Sequence, residues 1–199
     1  IELGGKWQAR PNLLLTAAIF RNERTNYRVP SGDVTLPDQV LDGKSRVDGI
    51  ALGANGQITP NWSISAAYTY LKSEVLQSVS DRTIANGGFD SQKGNPLLAT
   101  PKHSGSLWTT YTLPMGATLG YGATYTGEFY LNNGAPPLFK APGFWSHQLM
   151  ATYPVTEQLA LQLNVKNVFD KEYYTRVRNN GWAVPGDRRA AILSATYRF

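Results

Sequence analysis

One short segment of this 199-residue chain gathers cationic and aromatic side chains. The segment runs from Tyr173 to Trp182 and includes Tyr174, Arg176 and Arg178. Guanidinium groups supply positive charge and forked hydrogen bonds, and aromatic rings supply faces for stacking and cation–π contacts. These residue types are suited to a binding surface.

Weaker combinations of the same residue types occur at other points of the chain. They are Phe129 with Tyr130, Phe139 with Lys140, and the single cations Arg82 and Lys93. We expect these residues in connections between regular elements, where binding residues are common.

Residues for enzymatic chemistry are scarce. The chain has no Cys, which excludes a cysteine nucleophile and a thiolate metal site, and its two His are His103 and His147. Ser104 follows His103 on a predicted strand, so their side chains point to opposite faces and cannot pair as nucleophile and base. Phosphate-loop, GxSxG, HExxH and dinucleotide-binding motifs are missing from the sequence. We therefore predict neither an enzyme nor a metal held by the protein.

The net charge of +5 gives little support to nucleic-acid binding. The excess of Lys and Arg is modest and is not clustered, whereas a nucleic-acid-binding surface concentrates cations on one face. We predict no nucleic-acid partner.

The elements that must position the binding residues have the periodicity of β-strands. Between Trp62 and Tyr70, aromatic and apolar residues alternate with small and polar ones, and the same pattern recurs near residues 117–125, 159–166 and 191–199. A period of two places alternate side chains on opposite faces of a strand. The alternation predicts nine strands: 3–9, 13–27, 46–58, 62–74, 103–113, 117–129, 145–153, 158–169 and 188–199.

The predicted connections alternate strictly between short and long. Short turns rich in Pro, Asn and Gly lie near residues 11, 60, 115 and 155, and the long connections cover 28–45, 75–102, 130–144 and 170–187. This alternation is typical of an antiparallel up-and-down meander with tight turns at one end and large loops at the other.

Two architectures fit such a meander, a soluble β-sandwich and a transmembrane β-barrel. Only 17% of residues are charged, against about 25% in typical soluble domains. Most predicted strands have about 9–13 residues, which is enough to cross a bilayer at a tilt, since about 9–11 residues are needed. Their apolar faces carry Tyr and Trp near the strand ends, and their opposite faces are polar, as in a barrel with aromatic girdles and a wet lumen. We therefore predict an all-β, antiparallel up-and-down transmembrane β-barrel.

The last residues of the chain resemble an assembly signal. Phe199 with Tyr197 two positions earlier is similar to the C-terminal signature of bacterial outer-membrane proteins, which the barrel-assembly machinery reads as an added edge strand. A terminal Phe can also occur by chance. If the signature applies, the last strand runs toward the periplasm, and all four long connections are extracellular.

Four motifs resemble the C-terminal part of TonB-dependent receptors, and their order along the chain fits as well. Asn167-Val168-Phe169-Asp170-Lys171 resembles the motif of the penultimate strand, and Pro185-Gly186-Asp187-Arg188-Arg189 resembles the start of the final strand. Arg46-Val47-Asp48-Gly49-Ile50 followed by residues 62–70 is similar to a recurring hairpin, although Ala51 departs from the usual Glu. Thr100-Pro101-Lys102-His103 resembles the start of the next strand. Residues 106–111 and 181–187 are most similar to receptors for catecholate-type ferric siderophores.

The resemblance implies a domain and a function. Residues 1–199 would be about nine C-terminal strands of a 22-stranded barrel, with the plug domain and the N-terminal strands absent. The function would be TonB-dependent uptake of a ferric siderophore across the bacterial cell outer membrane, powered by TonB–ExbB–ExbD through the missing N-terminal region. Iron would arrive inside the siderophore, so no cofactor is expected. The alternative is a passive porin or a small structural outer-membrane barrel. Bacterial outer-membrane barrels have an even number of strands, and nine is odd. The chain is therefore either a fragment with two unpaired edge strands or a small closed barrel in which one strand is miscounted.

The resemblance also gives roles to single residues. Ligand-binding residues on extracellular loops would be Tyr173, Tyr174, Arg176, Arg178, Trp182, Tyr130, Lys140 and Arg82. Lys6, Lys166 and Arg198 would face the plug from the lumen, and Tyr197 and Phe199 would form the assembly signal. Outer-membrane lipid and lipopolysaccharide would be further partners of the barrel. Alternatively, the loop cations bind only the phosphates of lipopolysaccharide, or they only solvate the rim.

Overall fold

The computed structural model describes residues 1–35, 37–134, 136–178 and 181–199. Its strands and its helix, in chain order, are β1 (Glu2–Arg10), β2 (Leu13–Pro30), β3 (Gln39–Thr59), β4 (Trp62–Gln77), α1 (Asp81–Ala85), β5 (His103–Thr112), β6 (Thr118–Thr126), β7 (Phe129–Tyr130), β8 (Lys140–Ala141), β9 (Phe144–Pro154), β10 (Leu159–Lys166), β11 (Tyr174–Val177), β12 (Ala183–Pro185) and β13 (Ala190–Tyr197). In the described part of the chain, no helix is long and apolar enough to cross a membrane.

Nine strands form one antiparallel sheet in the order β1-β2-β3-β4-β5-β6-β9-β10-β13. Each strand pairs with the next along the chain, apart from the small hairpins β7–β8 and β11–β12, which interrupt two long connections. The predicted nine-strand meander and its alternation of short and long connections are confirmed. Within the described residues β1 and β13 stand at opposite ends of the sheet, so the small closed barrel is not what the chain forms.

Three strands extend farther toward the long connections than predicted. β2, β3 and β4 have 18, 21 and 16 residues. Their backbone pairing continues after the apolar alternation has ended, because ladder hydrogen bonds do not need apolar side chains. As a result the connection from β2 to β3 shrinks to residues 31–38. Other predicted bounds were too wide: β6 ends at Thr126 and β13 begins at Ala190.

The apolar face of the sheet carries two rows of aromatic residues. The row near the short turns contains Trp62, Tyr111, Tyr153 and Tyr197, each between 41% and 55% exposed. The row near the long connections contains two groups of rings. In one, Tyr68 and Tyr70 pair with His103, and in the other, Trp145 pairs with Tyr125 and His147. Along β4 the rows are eight residues apart, or roughly 26 Å. For a strand tilted by about 40° this corresponds to roughly 20 Å across the sheet, comparable with the apolar band of about 25 Å between aromatic girdles.

The same face becomes ionic beyond the second row. Arg21 Nε lies 2.6 Å from an Asp48 carboxylate oxygen, and Arg46 lies 3.4 Å from Asp48 and 2.7 Å from Glu74. These pairs join β2, β3 and β4 across the sheet. Charged side chains at this level belong in water, so the extended ends of these strands lie outside the apolar band.

On the polar face, aromatic rings lie over glycines of the neighbouring strand. Trp108 of β5 covers Gly120 and Gly122 of β6, and Phe20 of β2 covers Gly49 of β3. A Cβ atom placed on Gly49 would come within 2.2 Å of the Phe20 ring. A side chain at this position would have to displace the ring, because the ring approaches the backbone closely.

Candidate functional site

Hydrogen bonds connect the long connections to one another. Ser80 Oγ, at the N-cap of α1, donates to the backbone carbonyl of Ser31 at 2.5 Å and also accepts from Thr83 N. Arg82 Nε lies 2.7 Å from the Asp33 carboxylate. The connection between β4 and β5 is therefore fastened to the connection between β2 and β3.

The β4–β5 connection is folded around one carboxylate. Asp90 is 9% exposed and accepts from Ser78 N at 2.6 Å, Ser78 Oγ at 2.5 Å and Gln92 N at 3.1 Å. Burial raises the pKa of Asp90, but these hydrogen bonds lower it more, so the pKa lies below its ordinary value. Asp90 is therefore a charged anchor for the segment from Ser78 to Gln92.

The same connection is bound to the β7–β8 hairpin. Asn95 Nδ2 donates to the carbonyl oxygens of Asn133 at 2.8 Å and Gly134 at 2.9 Å, and Ala99 N donates to the Tyr130 carbonyl at 3.0 Å. Three of the four long connections thus form one connected cover above the sheet.

A cavity of about 640 Å³ lies between this cover and the polar face of β2 and β3. Its lining combines polar and apolar groups: Asn22, Glu23, Arg24, Tyr27, Ser45, Val47, Val75, Gln92, Leu97, Leu98, Thr100 and Asn133. The Arg24 guanidinium lies 5.3 Å from the centre of the Tyr27 ring, within cation–π range.

Tyr27 is held firmly in the cavity wall. Its hydroxyl lies 2.9 Å from the Gln77 carbonyl and 3.2 Å from the Lys44 carbonyl, and its ring covers Gly43. Burial raises the pKa of the Tyr27 phenol, and the negative charge of Asp90 raises it further. The phenol therefore stays protonated at neutral pH.

Two predicted binding residues form a cation–aromatic pair in the β7–β8 hairpin. Lys140 Nζ lies 4.8 Å from the centre of the Tyr130 ring and 2.5 Å from a Glu128 carboxylate oxygen. The hydrogen bond to Glu128 raises the pKa of Lys140. Glu128 neutralises part of the charge that an anion would meet at this hairpin, as Asp33 does beside Arg82.

The remaining predicted binding residues lie at the β11–β12 hairpin. The Arg178 guanidinium lies 5.6 Å from the centre of the Trp182 ring, and Tyr174 is 50% exposed. Arg176 is exposed on β11. Asn179 and Asn180, in the same predicted segment, lie outside the described residues. Cationic and aromatic groups are therefore brought together at this hairpin.

Tyr173 has a different environment from its neighbours. Its ring stacks on Phe144 with a centroid distance of 4.5 Å and covers Gly186, whose N–H donates to the Tyr173 carbonyl at 2.8 Å. These contacts attach the base of the β11–β12 hairpin to the start of β9. Packing accounts for an aromatic residue at this position.

The two sequence motifs near the chain end form one structural unit. Asn167, 3% exposed, donates to the carbonyls of Lys171 and Asp187, both at 2.9 Å. Asp170 accepts from Arg189 N at 2.9 Å and lies 2.8 Å from the Arg188 guanidinium, which also pairs with Glu172. The hydrogen bond from Arg189 N, followed by the one from Arg188 and by the charges of both arginines, keeps the pKa of Asp170 below its ordinary value. The motif residues therefore hold the two ends of the last long connection together.

The three predicted lumen cations are exposed. By strand alternation, Lys6 of β1, Lys166 of β10 and Arg198 after β13 share the polar face with Trp108. In the part of the chain that the structure describes, none of the three forms an ion pair. At the chain end, the Tyr197 and Phe199 rings meet edge to face at 5.2 Å.

Arg24 and Tyr27 were not identified as candidates from the sequence. Regular alternation would place Tyr27 on the apolar face. However, Asn26 has a positive φ of 57°, and the pairing of β2 with β3 shifts between Thr25 and Tyr27. This β-bulge turns Tyr27 to the polar face beside Arg24. An Asn inside an alternating run is the only sequence signal for it.

The described residues contain no group of three or more His, Cys, Asp or Glu side chains that could hold a metal ion. The chemistry of the cavity and of the two hairpins is that of binding: forked cationic donors, aromatic faces and amides.

Known proteins share this architecture and sequence. Residues 1–168 match the family model "TonB dependent receptor-like, beta-barrel". The chain is 37% identical over its full length to the probable TonB-dependent siderophore receptor PiuA of Acinetobacter baumannii, and it covers 26% of that protein. It is 35% identical over its full length to the catecholate siderophore receptor Fiu of Escherichia coli, covering 25% of it. The chain thus spans about a quarter of the length of these relatives.

Solved structures agree with the sequence comparison. The crystal structure of PiuA superimposes on 98% of this chain with a TM-score of 0.83 at 37% identity, the chain covering 28% of it. The closed form of Fiu superimposes on all of the chain with a TM-score of 0.82 at 32% identity, the chain covering 27% of it. With its open nine-stranded meander, the chain therefore belongs to the TonB dependent receptor-like β-barrel family, whose members are transport receptors of the outer membrane.

Proposed function

We propose that residues 1–199 are the C-terminal part of a receptor barrel that takes up ferric siderophores of the catecholate type by TonB-dependent coupling. The observation that carries the proposal is the similarity of the whole chain to PiuA and Fiu, at 37% and 35% identity, because both relatives are named as siderophore receptors and Fiu as a catecholate receptor. The cation–aromatic pairs above the sheet are consistent with an anionic aromatic ligand.

Ligand capture is assigned to side chains at the loop end of the sheet. The β11–β12 hairpin offers Tyr174, Arg176, Arg178 and Trp182, with Tyr173 supporting its base. The β7–β8 hairpin offers Tyr130 and Lys140. Arg82 belongs to the same group, although its pairing with Asp33 reduces its share in ligand binding. A ferric tris-catecholate is anionic, so exposed guanidinium groups beside aromatic faces suit it.

The remaining partners follow from the same proposal. A plug domain and the first barrel strands would belong to the whole receptor, and the plug would meet Lys6, Lys166 and Arg198 on the polar face. Energy would come from TonB–ExbB–ExbD through the N-terminal region. The barrel-assembly machinery would bind the β13 edge at Tyr197 and Phe199, and outer-membrane lipid and lipopolysaccharide would surround the apolar face. The chain would have no enzymatic activity and no cofactor besides the iron carried by its ligand.

The alternative of a passive porin or a small structural barrel gains no support from relatives that are siderophore receptors. Uptake in a receptor-deletion strain tests the choice of ligand. Cells that express the full-length receptor should accumulate radiolabelled iron from a ferric catecholate and not from ferrichrome. Uptake from ferrichrome alone would remove the catecholate assignment.

A further inference from the structure

Two of the four arginines on the extended strands of the sheet have carboxylate partners. Arg21 is paired with Asp48, and Arg46 with Asp48 and Glu74. Arg24 differs: among the residues that the structure describes, no carboxylate lies within the 4.0 Å limit of an ion pair with its guanidinium. Its charge is therefore open to an external anion.

Neither of two nearby carboxylates forms an ion pair with Arg24. Glu23 borders the cavity, but strand alternation directs its side chain to the opposite face from Arg24, where it interacts electrostatically with Arg21. Asp90 acts electrostatically on Tyr27, but its oxygens accept the hydrogen bonds of Ser78 and Gln92.

The aromatic partner of Arg24 is fixed before any ligand arrives. The bulge at Asn26 places Tyr27 on the polar face, its ring covers Gly43, and its hydroxyl contacts the carbonyls of Gln77 and Lys44. A ring held in this way positions the guanidinium, 5.3 Å from its centre, without a further loss of side-chain freedom on binding.

The opposite wall of the cavity offers groups of mixed character. Gln92 and Asn133 bring amides, and Leu97 and Leu98 bring apolar surface. A catecholate ring has two adjacent anionic oxygens and a flat apolar body. Its oxygens match the forked donors of a guanidinium, and its body matches the leucine wall.

Resting on the proposed function, we propose that Arg24, supported by Tyr27, binds a catecholate group of the ligand inside this cavity. The contact is a second recognition point beneath the cover, distinct from the Tyr130–Lys140 pair and from the β11–β12 hairpin. Arg24 would thus be a specificity-determining residue on β2 that lies outside the four sequence motifs.

The test uses the purified full-length receptor and an iron(III) tris-catecholate as the probe, with quenching of tryptophan fluorescence as the readout. Arg24→Gln keeps the length of the side chain and removes its charge, and Arg24→Lys keeps the charge and removes the fork. We expect Arg24→Gln to weaken binding about 10- to 100-fold, the loss typical of a charge-assisted hydrogen bond, and Arg24→Lys to weaken it less. The matched control is Arg28→Gln, four residues along β2, which borders a separate depression with Asp38 and Leu41.

Each outcome decides the proposal. Weakened binding in Arg24→Gln with unchanged binding in Arg28→Gln supports it. If the wild-type receptor binds the probe and Arg24→Gln binds it equally well, the Arg24 contact is wrong while the proposed function stands. A wild-type receptor that does not bind the probe overturns both. Should Arg24→Gln fail to fold, Arg24→Lys decides, because loss of the fork alone must then weaken binding by a measurable factor.

Discussion

Asn95 Nδ2 lies 2.8 Å from the carbonyl oxygen of Asn133, although the two residues are 38 positions apart. This bond joins the β4–β5 connection to the β7–β8 hairpin at the roof of the cavity that contains Arg24. The cover above the sheet is therefore a connected structure whose parts should move together.

Replacing Asn95 with Asp should loosen the cover. The substitution keeps the size of the side chain, removes the hydrogen bonds donated to the carbonyls of Ser91, Asn133 and Gly134, and places a negative charge beside these oxygens. Trypsin should then cleave after Arg82 and Lys93 severalfold faster, with the sheet intact. Asn86→Asp, in the same connection, is the control. Equal cleavage rates in wild type and Asn95→Asp would show that the bond does not hold the cover.

The β4–β5 connection should lose order in acid. Because the folded-state pKa of Asp90 lies below its ordinary value, its carboxylate stabilises the folded connection at pH values above the ordinary aspartate pKa. This stabilisation is lost as the pH falls through the lowered pKa. Hydrogen exchange at the amides of Ser78 and Gln92 should therefore speed up in acid, after correction for intrinsic exchange. Asp90→Asn should show fast exchange at these amides both in acid and at neutral pH. If the exchange rate of the wild type, corrected in the same way, does not change with pH, the charge of Asp90 has no such role.

Asn167→Ala should destabilise the last connection by about 1–3 kcal/mol, because the carbonyls of Lys171 and Asp187 lose their donor in a buried place. Asn167 also has a positive φ of 46°, which costs Ala roughly 1–2 kcal/mol more than Gly. The rate of proteolysis within the β11–β12 hairpin should therefore be highest for Asn167→Ala, lower for Asn167→Gly and lowest for the wild type. Equal rates for Gly and wild type would show that the hydrogen bonds contribute nothing.

Gly49→Ala should destabilise the sheet, because the new methyl group would meet the Phe20 ring at less than 3 Å. The expected cost is about 1–3 kcal/mol, the usual penalty for overpacking. Gly5→Ala on β1 is the matched control, since no atom lies within 4 Å of its added Cβ. The midpoint of urea unfolding of the full-length barrel measures both. Similar midpoints for the two variants would contradict close packing of Phe20 on Gly49.

The strands could be predicted from the sequence because one side of the sheet is apolar along most of its length. Alternation from Trp62 to Tyr70 identifies β4, and the same reasoning finds all nine strands. The extra length of β2, β3 and β4 could not be predicted, since their outer ends carry charged pairs instead of apolar residues.

The cover and its cavity depend on contacts between distant residues. Ser80 bonds Ser31 across 49 positions, and no local pattern announces such a partner. The cation–aromatic content of the hairpins was visible from Arg178 and Trp182, whereas Tyr27 was hidden by a bulge that reverses its face. Local periodicity predicts elements, and it fails where one residue shifts the register.

Coupling to TonB tests the central claim most directly. The full-length receptor is expressed in a strain that lacks other catecholate receptors, and the initial rate of iron uptake from a radiolabelled ferric catecholate is measured with and without functional TonB. The account predicts saturable uptake that disappears when TonB is inactive. Uptake that continues without TonB and rises linearly with concentration would identify a passive pore and contradict the account.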